Sequence, residues 1–270
     1  MKLDNHNLPS EQLYQTDSKL SLSHDLATKP NQCQLLQDTL LTSAAIYPDH
    51  IALISGDVKM SYREVKDYAC RLAYALDRRG VRRGDRVAIF MDNTWQCAVS
   101  IFGILLAGGV FVPINVQTKQ DKLAFILRDA DAHVLLSEQH FSRVFNPVIE
   151  LLPNLQVFCT NVSMDLSVNI GNVFDHLVDI PTTPPTQSVV SQDLAALIYT
   201  SGTTGEPKGV MHTHQSLNFV LDSINEYLGF SQDERLFSAL PLNFGYGLFQ
   251  WLSAVRIGAT LILEQDLLIK

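Results

Sequence analysis

Residues 194–209 read Leu194-Ala-Ala-Leu-Ile-Tyr-Thr-Ser-Gly-Thr-Thr-Gly-Glu-Pro-Lys-Gly209. The run Leu194 to Tyr199 is apolar and predicts a buried strand. It leads straight into Thr200 to Gly209, where Gly202, Gly205 and Gly209 let the backbone turn and approach an anion closely. Successive backbone N–H groups in such a loop form an anion-binding nest. Thr200, Ser201, Thr203 and Thr204 add hydroxyls, and Lys208 adds one cation beside the stiff Pro207. The loop is not a Walker A motif, which needs G-x-x-x-x-G-K-[ST] opening a helix. Here the lysine precedes a glycine, and Val210-Met211-His212 reads as a returning strand. The plain alternative is a Gly/Thr-rich hairpin at the surface.

Outward from this loop, helices and strands alternate. Gln34 to Ile46 reads as a helix, and Ile51–Ser55 with Val58–Met60 as a hairpin around Gly56-Asp57. Ser61 and Glu64 have capping-box spacing, and the helix they open ends at Gly80. Strands are expected near 87–90, 110–114, 133–136 and 156–159, with helices near 94–107, 119–129 and 140–150 between them. A helix is expected over 214–228, and a last strand from Ala259 to Leu263. Apolar strands separated by helices imply an α/β fold of layered parallel sheets flanked by helices. IPTTPPTQ, within 178–193, is a Pro/Thr-rich connection. The expected organisation is a flexible polar tail over 1–34, a first α/β block over 35–177, and a second over 194–270 that carries the glycine-rich loop.

Composition sets outer bounds. Of 270 residues, 46% are hydrophobic and 18% charged, so a sizeable core is expected. The net charge of -8 disfavours a nucleic-acid partner. Cys97 to Ile114 is uncharged and near transmembrane length, but Gly108-Gly109 and Pro113 interrupt it. A buried helix, a turn and a buried strand fit better, so the chain is not read as transmembrane. Cys33, Cys70, Cys97 and Cys159 lack C-x-x-C spacing, and the N-terminus lacks the marks of a signal or transit peptide. A cytoplasmic protein with free thiols is expected. His212 and His214 have no third ligand at suitable spacing, and no metal ligand set is expected. Arg78, Arg79, Arg82 and Arg83 suit a helix C-terminus, with a docking site for phosphates or an acidic carrier as the alternative.

The segment Thr200–Gly209 resembles the signature loop of the adenylate-forming superfamily, which includes acyl-CoA synthetases and the adenylation domains of peptide synthetases. Three more segments are similar to that family's elements, in the same order: Met60-Ser-Tyr-Arg-Glu-Val65, Leu106-Ala-Gly-Gly-Val-Phe-Val-Pro-Ile-Asn115 and Leu240-Pro-Leu-Asn-Phe-Gly-Tyr-Gly247. The likeness covers about residues 35–265.

This resemblance implies an AMP-forming carboxylic acid:thiol ligase. A small-molecule carboxylic acid attacks the α-phosphate of ATP, with Mg²⁺ on the polyphosphate. The acyl group then passes to coenzyme A or to the phosphopantetheine of an acyl or peptidyl carrier protein. Mapped here, Thr200, Ser201, Gly202, Thr203, Thr204, Gly205 and Lys208 hold the departing pyrophosphate. Asn243, Phe244 and Gly245 fall in the acyl-site element. Amino-acid-activating relatives often place Asp after the Phe of this element, to pair with the substrate ammonium. Gly245 stands there in this chain, which favours an acid without an α-ammonium, such as a fatty or aryl acid. An amino-acid adenylation domain is the runner-up, and a non-catalytic remnant the third reading. The family's later elements, an aromatic-Gly-x-Thr-Glu loop, a Thr-Gly-Asp, a hinge and a lysine-bearing C-terminal domain, have no counterpart in these residues. The chain therefore reads as the N-terminal portion of such an enzyme, not expected to adenylate alone.

Overall fold

The computed structural model describes residues 35–160, 171–172, 180–200 and 206–264. The expected N-terminal tail, Cys33 and loop residues 201–205 lie outside them. In chain order the elements begin with α1 (Asp38–Ile46), β1 (Ile51–Ser55), β2 (Val58–Ser61) and α2 (Tyr62–Arg78). Next come β3 (Arg86–Phe90), α3 (Trp95–Leu106), β4 (Val110–Pro113), α4 (Gln120–Asp129) and β5 (Ala132–Glu138). After one 3-10 turn, Gln139–Phe141, follow α5 (Ser142–Leu151), β6 (Gln156–Thr160) and β7 (Gly171–Asn172). The remainder is β8 (Leu194–Thr200), β9 (Lys208–Thr213), α6 (His214–Leu228), β10 (Arg235–Ser238), α7 (Gly245–Ile257) and β11 (Thr260–Leu263).

Two sheets organise these elements. A seven-stranded sheet has the order β7-β6-β5-β3-β4-β8-β9, parallel except for β9. A four-stranded sheet has the order β10-β11-β1-β2, with β2 antiparallel. Each sheet takes strands from both sides of the Pro/Thr-rich connection. Helices α2, α3 and α7 contribute to one core shared by both sheets, while α4 and α5 cover the other face of the larger sheet.

Local chemistry explains the joints. Ser61 caps α2, with its side chain accepting from the Glu64 N–H and Glu64 accepting from the Ser61 N–H. Tyr62 is fully buried, and its hydroxyl reaches the carbonyls of Ala254 and Ala259, at 3.0 and 2.6 Å. The Ser-Tyr-x-Glu segment is thus structural: it starts α2 and pins it to the end of α7. Trp251 is also buried, donates to the Ala98 carbonyl at 3.1 Å and meets Phe102 edge to face. The uncharged run 97–114 folds as helix, turn and strand, with Gly108 at φ +81 making the turn. Among the described residues no helix is long and apolar enough to cross a membrane. Cys70, Cys97 and Cys159 are unpaired and buried.

The elements depart from the sequence reading at α1, β7, β10 and α7. Helix α1 starts at Asp38 rather than Gln34. The Asp38 carboxylate accepts from the Leu35 N–H, so the preceding residues form a turn. Strands β7 and β10 and helix α7 were not anticipated. Residues 240–247 were read only as a motif segment, and α7 begins within them at Gly245. Of the arginine cluster, Arg82 pairs with Asp77 at 2.9 Å, Arg83 with Asp193 at 2.8 Å, and Arg79 lies over the Phe158 ring. These guanidiniums are engaged within the fold.

Candidate functional site

The glycine-rich loop is the tip of an antiparallel hairpin. Strands β8 and β9 pair from Leu194–Thr213 to Thr200–Lys208, and the glycine-rich loop connects them. The Thr200 hydroxyl lies 3.5 Å from the Lys208 carbonyl. Lys208 is exposed at the start of β9. Ser201, Gly202, Thr203, Thr204 and Gly205 lie outside the described residues.

A cleft of about 630 Å³ opens beside this hairpin. That volume lies within the roughly 300–1,000 Å³ of small-molecule sites. Thr200 and Pro207 line it from the hairpin, and Asn243, Phe244 and Gly245 line it from the N-terminal end of α7. Strand β4 and its following loop supply Ile114 and Asn115, and α4 supplies Lys122. The fold therefore brings Thr200 into one cleft with all three residues of the acyl-site element. Lys208 does not line the cleft, although it pairs with Thr200 across the hairpin.

The chemistry of the walls is uneven. Asn243 carries a buried Oδ1 with no hydrogen-bond partner. Phe244 is 57% exposed and stands at the N-cap of α7. A Cβ added at Gly245 would meet nothing within 4 Å. Neither backbone strain nor packing thus requires glycine there. Among the described lining residues there is no carboxylate. These described residues offer an ammonium no counter-charge and offer Mg²⁺ none of its preferred anionic oxygens.

Two further residues fix the hairpin side. Tyr199 donates to Asp129, and burial together with that carboxylate raises its pKa, so the phenol stays protonated. His212 lines the cleft, with its pKa lowered by burial. His214 is buried elsewhere, and its Nδ1 accepts from the Leu36 N–H at 3.0 Å. The two histidines of His-x-His thus serve different places. The sequence reading missed Asn93, whose Oδ1 accepts from the Leu242 N–H and whose Nδ2 donates to the Glu264 carbonyl. An Asn in a strand-to-helix loop is too common to signal this role.

Comparison with known proteins agrees with this geometry. A family model described as AMP-binding enzyme matches residues 40–268. Bacitracin synthase 1 of Bacillus licheniformis is 32% identical over 217 residues, which are 80% of this chain and 4% of that protein. The anthranilate CoA ligase AuaEII, solved with anthranoyl-AMP, superposes with a TM-score of 0.82 at 27% identity over 86% of this chain and 45% of its own. VinN, solved with L-aspartate, gives 0.75 at 28% identity over 85% of this chain and 57% of its own. The chain thus spans a small part of the curated relative and about half of the solved ones. The hairpin of β8 and β9 and the segment 240–247 both lie within the matched residues, and the chain belongs to the AMP-binding enzyme family, the adenylate-forming ligases.

Proposed function

We propose that this chain forms the acid- and pyrophosphate-binding part of an AMP-forming ligase for a carboxylic acid without an α-ammonium, an aryl or fatty acid. The observation that carries the acid class is Gly245: the space a side chain would take is open, and no described cleft residue is anionic. A buried ammonium without a counter-charge is costly, whereas an apolar acid suits walls such as Ile114 and Phe244. Thr200, the hairpin tip 201–205 and Lys208 hold the polyphosphate of ATP. ATP supplies the adenylyl group when bound, and these donors neutralise the charge that develops on the departing pyrophosphate. The acceptor is a thiol, of coenzyme A or of a carrier protein's phosphopantetheine. The described cleft residues do not fit Mg²⁺, and no step here runs through it. A second reading, amino-acid activation, is favoured by the identity to bacitracin synthase 1 and by the unpartnered Asn243 Oδ1.

The test is ATP–pyrophosphate exchange by the polypeptide at its native length, with aryl, fatty and amino acids compared. Aryl or fatty acids should drive exchange, and Lys208→Ala should reduce it about tenfold or more. Gly245→Asp should weaken exchange with those acids and raise it with amino acids, since its carboxylate enters an open space. Exchange by the unsubstituted protein with amino acids alone would overturn the acid class and leave the second reading. Unchanged exchange in Lys208→Ala would remove the lysine from the site.

A further inference from the structure

The seven-stranded sheet has a second feature away from this cleft. After β3 the chain crosses to β4 by way of α3, packed on the inner core. After β5 it crosses the other way, to β6, by way of α5 on the opposite face. The carboxyl ends of β3 and β5 are therefore neighbours whose chains leave in opposite directions. Such a switch point opens a crevice, and ligands of open α/β sheets bind there.

Three chemistry-bearing side chains meet at this crevice: Asp92, just past β3, Glu138, the last residue of β5, and His140, just beyond it. One donor atom from each lies within 4.8 Å of the others. For comparison, donors around a cation with bonds of about 2.1 Å are about 3.4 Å apart in a tetrahedron. A small side-chain adjustment closes that gap. Glu138 is 3% exposed, and one carboxylate oxygen accepts from the Asp92 N–H at 2.7 Å. That bond orients the carboxylate and leaves its other oxygen for a ligand. His140 Nε2 and Asp92 Oδ2 are 2.9 Å apart, and both side chains are about half exposed, so a cation has a way in.

A second observation points to the same spot. Thr160, at the end of β6, is 3% exposed, and its buried Oγ1 has no hydrogen-bond partner. It is in parallel register with Glu138, so the two side chains project from the same face of the sheet. A buried hydroxyl without a partner is uncommon in folded proteins and calls for a water, an ion or a ligand. None of these four residues lines the cleft described above.

From this geometry we infer a divalent-cation site at the β3/β5 switch point, held by Asp92, Glu138 and His140, with the Thr160 hydroxyl toward a fourth position or a bound water. Mixed carboxylate and imidazole donors suit Zn²⁺ or Mn²⁺ better than a thiolate-seeking or an all-oxygen cation. On binding, the cation would sit between the His140 imidazole and the Asp92 carboxylate, which are 2.9 Å apart. It also balances two carboxylates of which one is buried. Asp92 adjoins Asn93, which holds the Leu242 N–H at 3.0 Å, so the cation braces the loop on which the acyl-site segment rests.

The test is Mn²⁺ binding to the whole chain, followed by loss of the free-ion electron paramagnetic resonance signal, with Zn²⁺ as competitor. One equivalent of Mn²⁺ should be taken up and displaced by one of Zn²⁺. His140→Ala and Asp92→Asn, both at partly exposed side chains, should each weaken uptake at least tenfold. Thermal melting without metal shows whether each variant is folded. Glu138→Gln should do the same, but its buried position makes it the secondary variant. Uptake that is absent, or unchanged in folded His140→Ala, overturns the proposal.

Discussion

His214 shows how one side chain links the turn before α1, the hairpin and helix α6. It is 1% exposed, its Nδ1 accepts from the Leu36 N–H, and its own N–H donates to the Asp193 carbonyl. Burial pushes its pKa down to about 4, with Asp193 opposing that shift. The unfolded chain holds its histidines near the ordinary value of about 6.5. Between these values the unfolded state binds more protons, so this contribution is whole at neutral pH and falls as pH drops toward 4. The full loss is roughly 3 kcal/mol, of which about 2 is gone by pH 5. Urea unfolding at pH 7.5 and pH 5 checks it. His214→Gln keeps an acceptor for Leu36 and should show a smaller drop between the two pH values than the unsubstituted chain. An equal drop would place the acid sensitivity on other groups.

At the scale of elements, most of the fold was legible because its strands are short apolar runs and helices α2, α3 and α6 carry side-chain caps. Ser61 and Glu64 announce α2, and Gly108 marks the turn after α3. Helix α7 was not legible, because its first turn is Gly245-Tyr246-Gly247, and glycines argue locally for a loop. Tertiary packing decides otherwise. A Cβ at Gly247 would lie 2.3 Å from the Leu240 carbonyl oxygen and 2.5 Å from that of Pro241. Glycine is there so that the helix can sit against the backbone before it. Gly247→Ala should therefore push residues 240–241 away, at about 1–3 kcal/mol of overpacking. Gly245→Ala, with nothing within 4 Å, should leave stability unchanged or raise it by up to about 1 kcal/mol. Denaturant midpoints of the two variants check this opposition of sign. Equal losses in both would mean that helix propensity, not the close approach, sets the cost.

At the scale of the whole molecule, the cleft joins residues that the sequence holds far apart. Thr200 and the 243–245 segment carried motif signals and were legible. Ile114 stood in the 106–115 segment, whose likeness implied no site role, and Lys122 in no motif, because β4 and α4 reach the cleft through the parallel pairing of β4 with β8. The same holds for Asn93, which stands between the sheets. Its Oδ1 accepts from the buried Leu242 N–H at 3.0 Å, and its Nδ2 donates to the Glu264 carbonyl at 2.6 Å, just past β11. One side chain from the end of β3 thus sets the height of the acyl-site segment above the larger sheet. Asn93→Ala leaves the Leu242 N–H without this acceptor, and an unsatisfied buried donor costs about 1–3 kcal/mol. The adjacent Thr94→Ala makes the comparison. Thr94 caps α3 through the Cys97 N–H, and losing that cap costs about 1 kcal/mol without touching residue 242. Both variants should melt earlier. In exchange assays at native length, only Asn93→Ala should raise the KM for the acid, because only it frees the segment that carries Asn243, Phe244 and Gly245. A KM raised equally by both would reduce Asn93 to a contributor to stability alone.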